Sequence, residues 1–180
     1  MDERVLMQDF SDKTIEMVER ILACTDGLDE ADINWKPDAP ETNSIYVLAT
    51  HTMGNVRQNT LAVLGGQEDH RDRDAEFVAS GDSAANLQRE WAELKPQVQE
   101  TLGRLGAEDL ARVHAHPRRG TITGQQVLML MATHAAEHAG QAELTRDLLK
   151  ARGERRGNGP HRRPEGARPS PNVGRGGETG

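Results

Sequence analysis

Aromatic residues make up only 3% of the 180 positions and hydrophobic residues 35%, which is thin for a globular chain of this size. The shortage is local. From Ala151 onward the chain reads ARGERRGNGPHRRPEGARPSPNVGRGGETG, with Val173 as its single large aliphatic residue. Such a stretch cannot bury enough apolar surface to offset its chain entropy, so residues 151–180 are expected to form a disordered Gly/Pro/Arg-rich tail. The core must then come from residues 1–150, an ordinary length for one domain and too short for two. Cysteine is represented by Cys24 alone, which excludes an intramolecular disulfide. It falls in a helical pattern, where burial is the better expectation than reactivity. No run approaches the roughly 18 apolar residues of a membrane span, and the opening Met1-Asp2-Glu3-Arg4 is unlike a signal peptide. The expectation is a soluble cytoplasmic protein with no membrane partner. Gly-rich phosphate loops, G-x-S-x-G elbows and CxxC pairs are absent too.

The tail holds seven arginines and three glutamates, so the body is more acidic than the net charge of −7 for the whole chain. An acidic body repels phosphate backbones and argues against DNA or RNA as a specific ligand.

What is present is helical periodicity, without an internal repeat or a strong strand pattern. A first helix is expected from Asp2 to Cys24, with Leu6, Phe10, Met17, Val18, Ile21 and Leu22 on one face and Gly27 as a C-terminal cap. After a Pro-containing linker, in which Trp35 is expected to plug the bundle end, a second helix should start at Asn43 or Ser44 and stop at Gly65-Gly66. A polar loop, QEDHRDRDAEFVASGD, separates it from a third helix over 83–105. That helix carries a stripe of Leu87, Trp91, Leu94, Val98, Leu102 and Leu105, and Pro96 should kink or break it. A connection over 106–122, partly extended around LARVHAH, leads to a fourth helix over 123–150, opened by a capping box between Thr123 and Gln126. Four helices with little else predict an all-α four-helix bundle.

The fourth helix places Val127, Met131, His134, His138, Gln141, Thr145 and Leu148 along one stripe at about 100° per residue. Two histidines one turn apart on a face meant for burial each need a partner, and a shared metal ion satisfies both. His51, at the border of the second helix's apolar side, offers a third ligand, and the small neighbour Gly54 lets another group come close. Three imidazoles from two helices leave open positions on an ion, the arrangement of catalytic rather than structural sites. The alternative is three core histidines satisfied by hydrogen bonds. The letters HAAEH at 134–138 also fit H-x-x-E-H, an inverted zinc-protease signature with Glu137 as base and a downstream carboxylate, Glu143 or Asp147, as third ligand. His114 and His116 flank Ala115 and point the same way, within reach of a substrate if their segment covers the bundle end.

The segments NWKPDAPETNSIYVLATHTMGNVRQNT and TITGQQVLMLMATHAAEHAGQAELTRDLL, with RDRDAEF between them, resemble the DinB-like superfamily of small bacterial bundles over about residues 2–149. The resemblance implies a four-helix bundle of unusual connectivity, often a homodimer. It also implies a divalent metal, typically nickel or zinc, on three histidines matching His51, His134 and His138. Similar proteins include thiol-dependent transferases and isomerases that use a low-molecular-weight thiol, and others presumed to be hydrolases. The expectation is therefore a metal-dependent enzyme acting on a small-molecule substrate, by hydrolysis or thiol transfer. Asn55, Glu137 and Gln141 are candidates to orient ligands or substrate. The alternative function is a non-catalytic metal-binding or stress-related binding protein.

Overall fold

A computed structural model describes the backbone of residues 3–157 and the side chains of residues 5–153. Helix α1 spans Glu3–Ala23 and buries Met17, Val18, Ile21 and Leu22 on the expected face. Cys24 follows it and is buried, and Gly27 turns the chain at φ 74°, in the left-handed region. The short α2, Glu30–Ile33, is capped by the Asp29 carboxylate accepting from Asp32 N. Trp35 beside it is half-buried, with the Arg152 guanidinium 5.3 Å from its ring centroid.

Helix α3, Ile45–Arg57, starts at Ser44, whose hydroxyl accepts from Val47 N at 3.2 Å. It runs directly into a π-helical stretch, Gln58–Leu64, which ends at Gly65-Gly66 with Gly66 at φ 72°. Helix α4, Arg73–Phe77, lies inside the expected polar loop, and α5 spans Ala85–Gly103. The α5 stripe is as the spacing predicts: Leu87, Trp91, Leu94, Val98 and Leu102 are buried, and Leu105 is partly so. The helix continues through Pro96 without a break, contrary to one of the two expected outcomes.

Helix α6, Ala107–Ala111, precedes an antiparallel hairpin of β1, Val113–His116, and β2, Gly120–Thr123, with His114 facing Ile122. Helix α7 covers Gly124–Gly157 and so passes the expected end at Lys150. Its start carries the expected box, since Gln126 N donates to Thr123 Oγ1 and Thr123 N donates to Gln126 Oε1. The rest of the expected tail, 158–180, and His161 with it, lies outside the described residues.

The four long helices make an all-α bundle in which α1 and α3 each pack against both α5 and α7 and also touch each other. Helices α5 and α7 take opposite corners, so the chain crosses the bundle between its first two long helices rather than stepping round it. No described helix is long and apolar enough to cross a membrane.

One expectation about α7 needs correction. Its stripe through Val127, Met131, His134 and His138 was expected to continue in burial through Gln141 and Leu148, yet both of these are exposed. The buried ridge instead runs through Ala135, Ala139 and Ala142, all at 0% exposure. Alanine adds little to a hydrophobic pattern but permits close helix approach, and α1 packs extensively against α7. The helix is thereby rotated until His134 and His138 stand at the edge of the core, toward α3.

Candidate metal centre

His51 sits mid-way along α3 and is 4% exposed, while His134 and His138 face it from α7 and are half-buried. The ligand atoms of the three rings lie within 4.8 Å of one another. His134 Nε2 is 3.2 Å from His51 Nε2 and 3.1 Å from His138 Nε2.

The outer ring atoms decide what these Nε2 atoms are. His51 Nδ1 is 2.8 Å from Glu76 Oε2, and a carboxylate only accepts, so the proton is on Nδ1. His138 Nδ1 is 2.7 Å from Gln141 Oε1, and the amide oxygen likewise requires a proton there. In their neutral forms both rings therefore present an Nε2 lone pair to the space they share with His134. One proton on His134 Nε2 satisfies only one of the two. A cation satisfies all three, and metal–imidazole bonds of about 2.0–2.1 Å put neighbouring nitrogens roughly 3.0–3.4 Å apart, which brackets the separations seen. The residues thus fit a divalent ion. His134 differs from its partners, since its Nδ1 is buried without a hydrogen bond among the described residues.

The support for His51 is a network that sequence reasoning missed. Glu76, on α4, is held in a two-pronged pair by Arg71, with Nε to Oε1 and Nη2 to Oε2 both at 2.7 Å. Arg71 also donates to Gln58 Oε1 at 3.0 Å, and Gln58 Nε2 donates to Asp69 Oδ2 at 2.6 Å. The Arg71 and Glu76 side chains are only 5% and 8% exposed. The Phe77 ring closes the other side of His51, with centroids 4.5 Å apart. Gly54 supplies the room: a Cβ there would stand 1.9 Å from Glu76 Oε1.

Of the candidates to orient ligands, Gln141 holds His138 as expected and Asn55 lines the cleft beside the triad. Glu137 is exposed and makes no hydrogen bond to the triad among the described residues. The zinc-protease arrangement is not formed either. Glu143 pairs with Arg20 at 2.7 Å and Asp147 with Lys150 at 3.5 Å, and it is His51 of α3 that stands opposite the α7 pair. His116 does reach the site region: its Nε2 donates to Asn59 Oδ1 at 3.1 Å, and its Nδ1 accepts from Arg118 N. Asn59 in turn donates to Asn55, so the π-helical stretch ties the hairpin to α3.

A cleft of about 120 Å³ opens on the His51 and His134 side of the triad, over Asn55, Gln58 and Leu130. With this geometry the sequence can be placed. Residues 14–142 match the DinB superfamily. The chain belongs to the DinB superfamily. A conserved protein from Enterococcus faecalis, known as a crystal structure, has the same fold as this DinB-superfamily chain, with a TM-score of 0.65 at 21% identity over 84% of this chain and 99% of that one. No curated protein matches the sequence.

Burial and neighbouring charges favour the neutral form of the two α7 rings of this DinB-superfamily chain, His134 and His138. Burial, then the adjacent His138 and His51 and the charges of Arg71 and Arg73, lower His134 from 6.5 to about 3. Burial also lowers His138, against the opposing effect of its Gln141 bond. For Glu76, burial pushes upward, but the bonds from His51 and Arg71 and the Arg71 charge more than offset it, leaving the carboxyl below its usual value. These shifts share a sign. Below pH 6.5 the unfolded chain protonates His134, while the native, metal-free protein does so only near pH 3. Stability of the metal-free protein should therefore fall as pH drops through this window, by about 2 kcal/mol at pH 5 from His134 alone. Urea melts at pH 7.5 and pH 5 check this, and equal midpoints would contradict it.

Proposed function

We propose that the chain is a metal-dependent enzyme acting on a small molecule, with His51, His134 and His138 holding one divalent cation, zinc or nickel. The observation that carries this reading is the pair of Nε2 lone pairs fixed by Glu76 and Gln141 and aimed at the same point. An ion on three neutral imidazoles keeps open coordination positions and lowers the pKa of a water or a cofactor thiol placed there, which serves hydrolysis and thiol transfer alike. The chain supplies the rest. Glu76 and Gln141 hold two rings in one tautomer and orientation, and Glu76 makes His51 a stronger donor. Phe77 and Leu130 limit water at the rings, while Asn55 offers a neutral hydrogen-bonding group to a substrate in the cleft and Gln58, held by Arg71 and Asp69, lines its wall. A non-catalytic binding protein would need no such opening beside its ion, and the cleft favours the enzyme.

The test is elemental analysis of the untagged protein, followed by stripping with a chelator and reloading with zinc or nickel. One ion per chain is expected. A metal bound only to the folded state, at a hundred times its dissociation constant, adds about 2.7 kcal/mol and raises Tm by about 5–10 °C. No bound ion and an unmoved Tm would leave three core histidines and no basis for catalysis. Sedimentation of the loaded protein checks the homodimer implied by the resemblance.

A further inference from the structure

The cleft beside the triad has a composition that the metal reading does not explain. Arg71, Arg73, Arg118 and Arg119 line it, and no aspartate or glutamate does, in a chain whose net charge is −7. The contrast with the neighbouring cleft of about 450 Å³ behind Arg71 is sharp, for that one is lined by Glu68, Asp69, Asp72, Glu76 and Glu90. Arg71 is neutralised by Glu76. Among the described residues, Arg73, Arg118 and Arg119 have no carboxylate at ion-pair distance, whereas Arg20, Arg57, Arg104 and Arg112 each have one; Arg89 and Arg146 also lack one, but bond instead to the Asn86 amide and to backbone carbonyls. Like charges gathered without a counterion repel one another, and an anion placed among them relieves that cost.

The three are also positioned. The Arg73 guanidinium lies 4.6 Å from the centroid of Phe77, the ring that packs on His51. Stacking fixes the plane of the guanidinium and leaves its N–H edge free to bind. Arg118 and Arg119 occupy the tip of the β1–β2 hairpin, which is pinned to the bundle by the His116–Asn59 bond and by Arg118 N donating to His116 Nδ1. Their field reaches the cleft floor: after burial, the charges of Arg119, Arg71 and Arg118 are what hold His116 below its usual pKa.

We propose that the substrate or co-substrate of this enzyme carries a carboxylate or phosphate group, held by Arg73, Arg118 and Arg119 while the neighbouring atoms of the molecule reach the triad. Guanidinium edges match both oxyanions in paired hydrogen bonds. At about 120 Å³ the cleft is smaller than the roughly 300–1,000 Å³ pockets that enclose whole drug-sized ligands. It takes a small acid, or the charged end of a longer molecule. The proposal rests on the metal-dependent reading for what happens next to the anion, but the arginines bind it without help from the ion.

The experiment is calorimetric titration of the zinc-loaded full chain, at low ionic strength, with inorganic phosphate and with succinate, using succinamide as the neutral control. The same titrations are run on Arg118→Gln/Arg119→Gln, and metal content is measured in every sample. Both side chains are exposed and the hairpin uses only the backbone amides of Arg118 and Arg119, so the variant keeps the fold. At least one anion should bind the parent, and succinamide should not. The double variant should bind that anion at least tenfold more weakly with its metal content unchanged, and the tighter of the two probes names the oxyanion. Equal affinity in the variant would place the anion on the ion or elsewhere and overturn the proposal, as would a parent that binds neither probe. A parent that binds anions through the two arginines but holds no zinc would keep the anion site and remove the metal reading.

Discussion

His138→Ala should cost the protein most of its metal and none of its metal-free stability. The first half follows from the ligand count: two imidazoles remain where three converged, and the loss should exceed the roughly 10–100-fold that accompanies removal of an outer partner. Gln141→Ala supplies that smaller reference effect, because it frees His138 Nδ1 without deleting Nε2. The second half follows from the surroundings. His138 is half-buried at the edge of the core, and among the described residues the one hydrogen bond its side chain makes outside the triad is to the exposed Gln141. Without a cation, its imidazole is a partly desolvated polar ring beside two others, and burial holds its pKa down. Alanine removes that cost and opens no closed cavity. Melting curves should therefore cross over: the variant melts at or above the parent when both are stripped, and below it when both are supplied with zinc. Full metal stoichiometry at parental affinity in the variant would sink the ligand assignment. A large loss of stability in the stripped variant would instead make His138 a core hydrogen-bonding residue.

Why the triad and Gln141 were legible and the Glu76–Arg71 support was not comes down to what periodicity records. His51, His134 and His138 are polar residues at positions where helical spacing calls for apolar ones, so each is visible as a fault in a regular pattern. The α5 stripe, the Ser44 cap and the Thr123–Gln126 box are visible for the same reason, since each is a local rule of helix geometry. Glu76 and Arg71 break no such rule. They stand in QEDHRDRDAEF, where a run of charges has the pattern of a solvated loop, and only the tertiary position of α4 against α3 buries them. The alanine ridge of α7 is hidden in the opposite way, because Ala135, Ala139 and Ala142 carry too little hydrophobicity to outvote the stripe beside them. The four-residue strands of the hairpin are too short to show alternation, yet they bring Arg118 and Arg119 to the cleft. Gly54 was readable as a place of close approach, but the group that approaches was not.

Gly54→Ala puts that last point at risk, because two effects of opposite sign meet at one atom. Replacing glycine by alanine inside a helix ordinarily gains about 1 kcal/mol. Here the new Cβ would stand 1.9 Å from Glu76 Oε1 and 2.7 Å from its Cδ, so the carboxylate has to leave. It cannot leave cheaply. Its two oxygens hold His51 Nδ1 and both prongs of Arg71, and breaking a buried ion pair by displacing one partner costs about 3–5 kcal/mol. The loss outweighs the gain, and the variant should be destabilised by about 2–4 kcal/mol although its helix propensity is better. The metal site should suffer as well, because a displaced Glu76 no longer fixes the His51 tautomer, and affinity should fall about 10–100-fold. Glu76→Gln separates the two consequences: it keeps an acceptor for His51 in place but removes the charge that pairs with Arg71. Denaturant melts and metal titrations of both variants decide the matter. If Gly54→Ala is more stable than the parent and binds metal equally well, Glu76 is free to move and the network around His51 does not set the geometry of the centre.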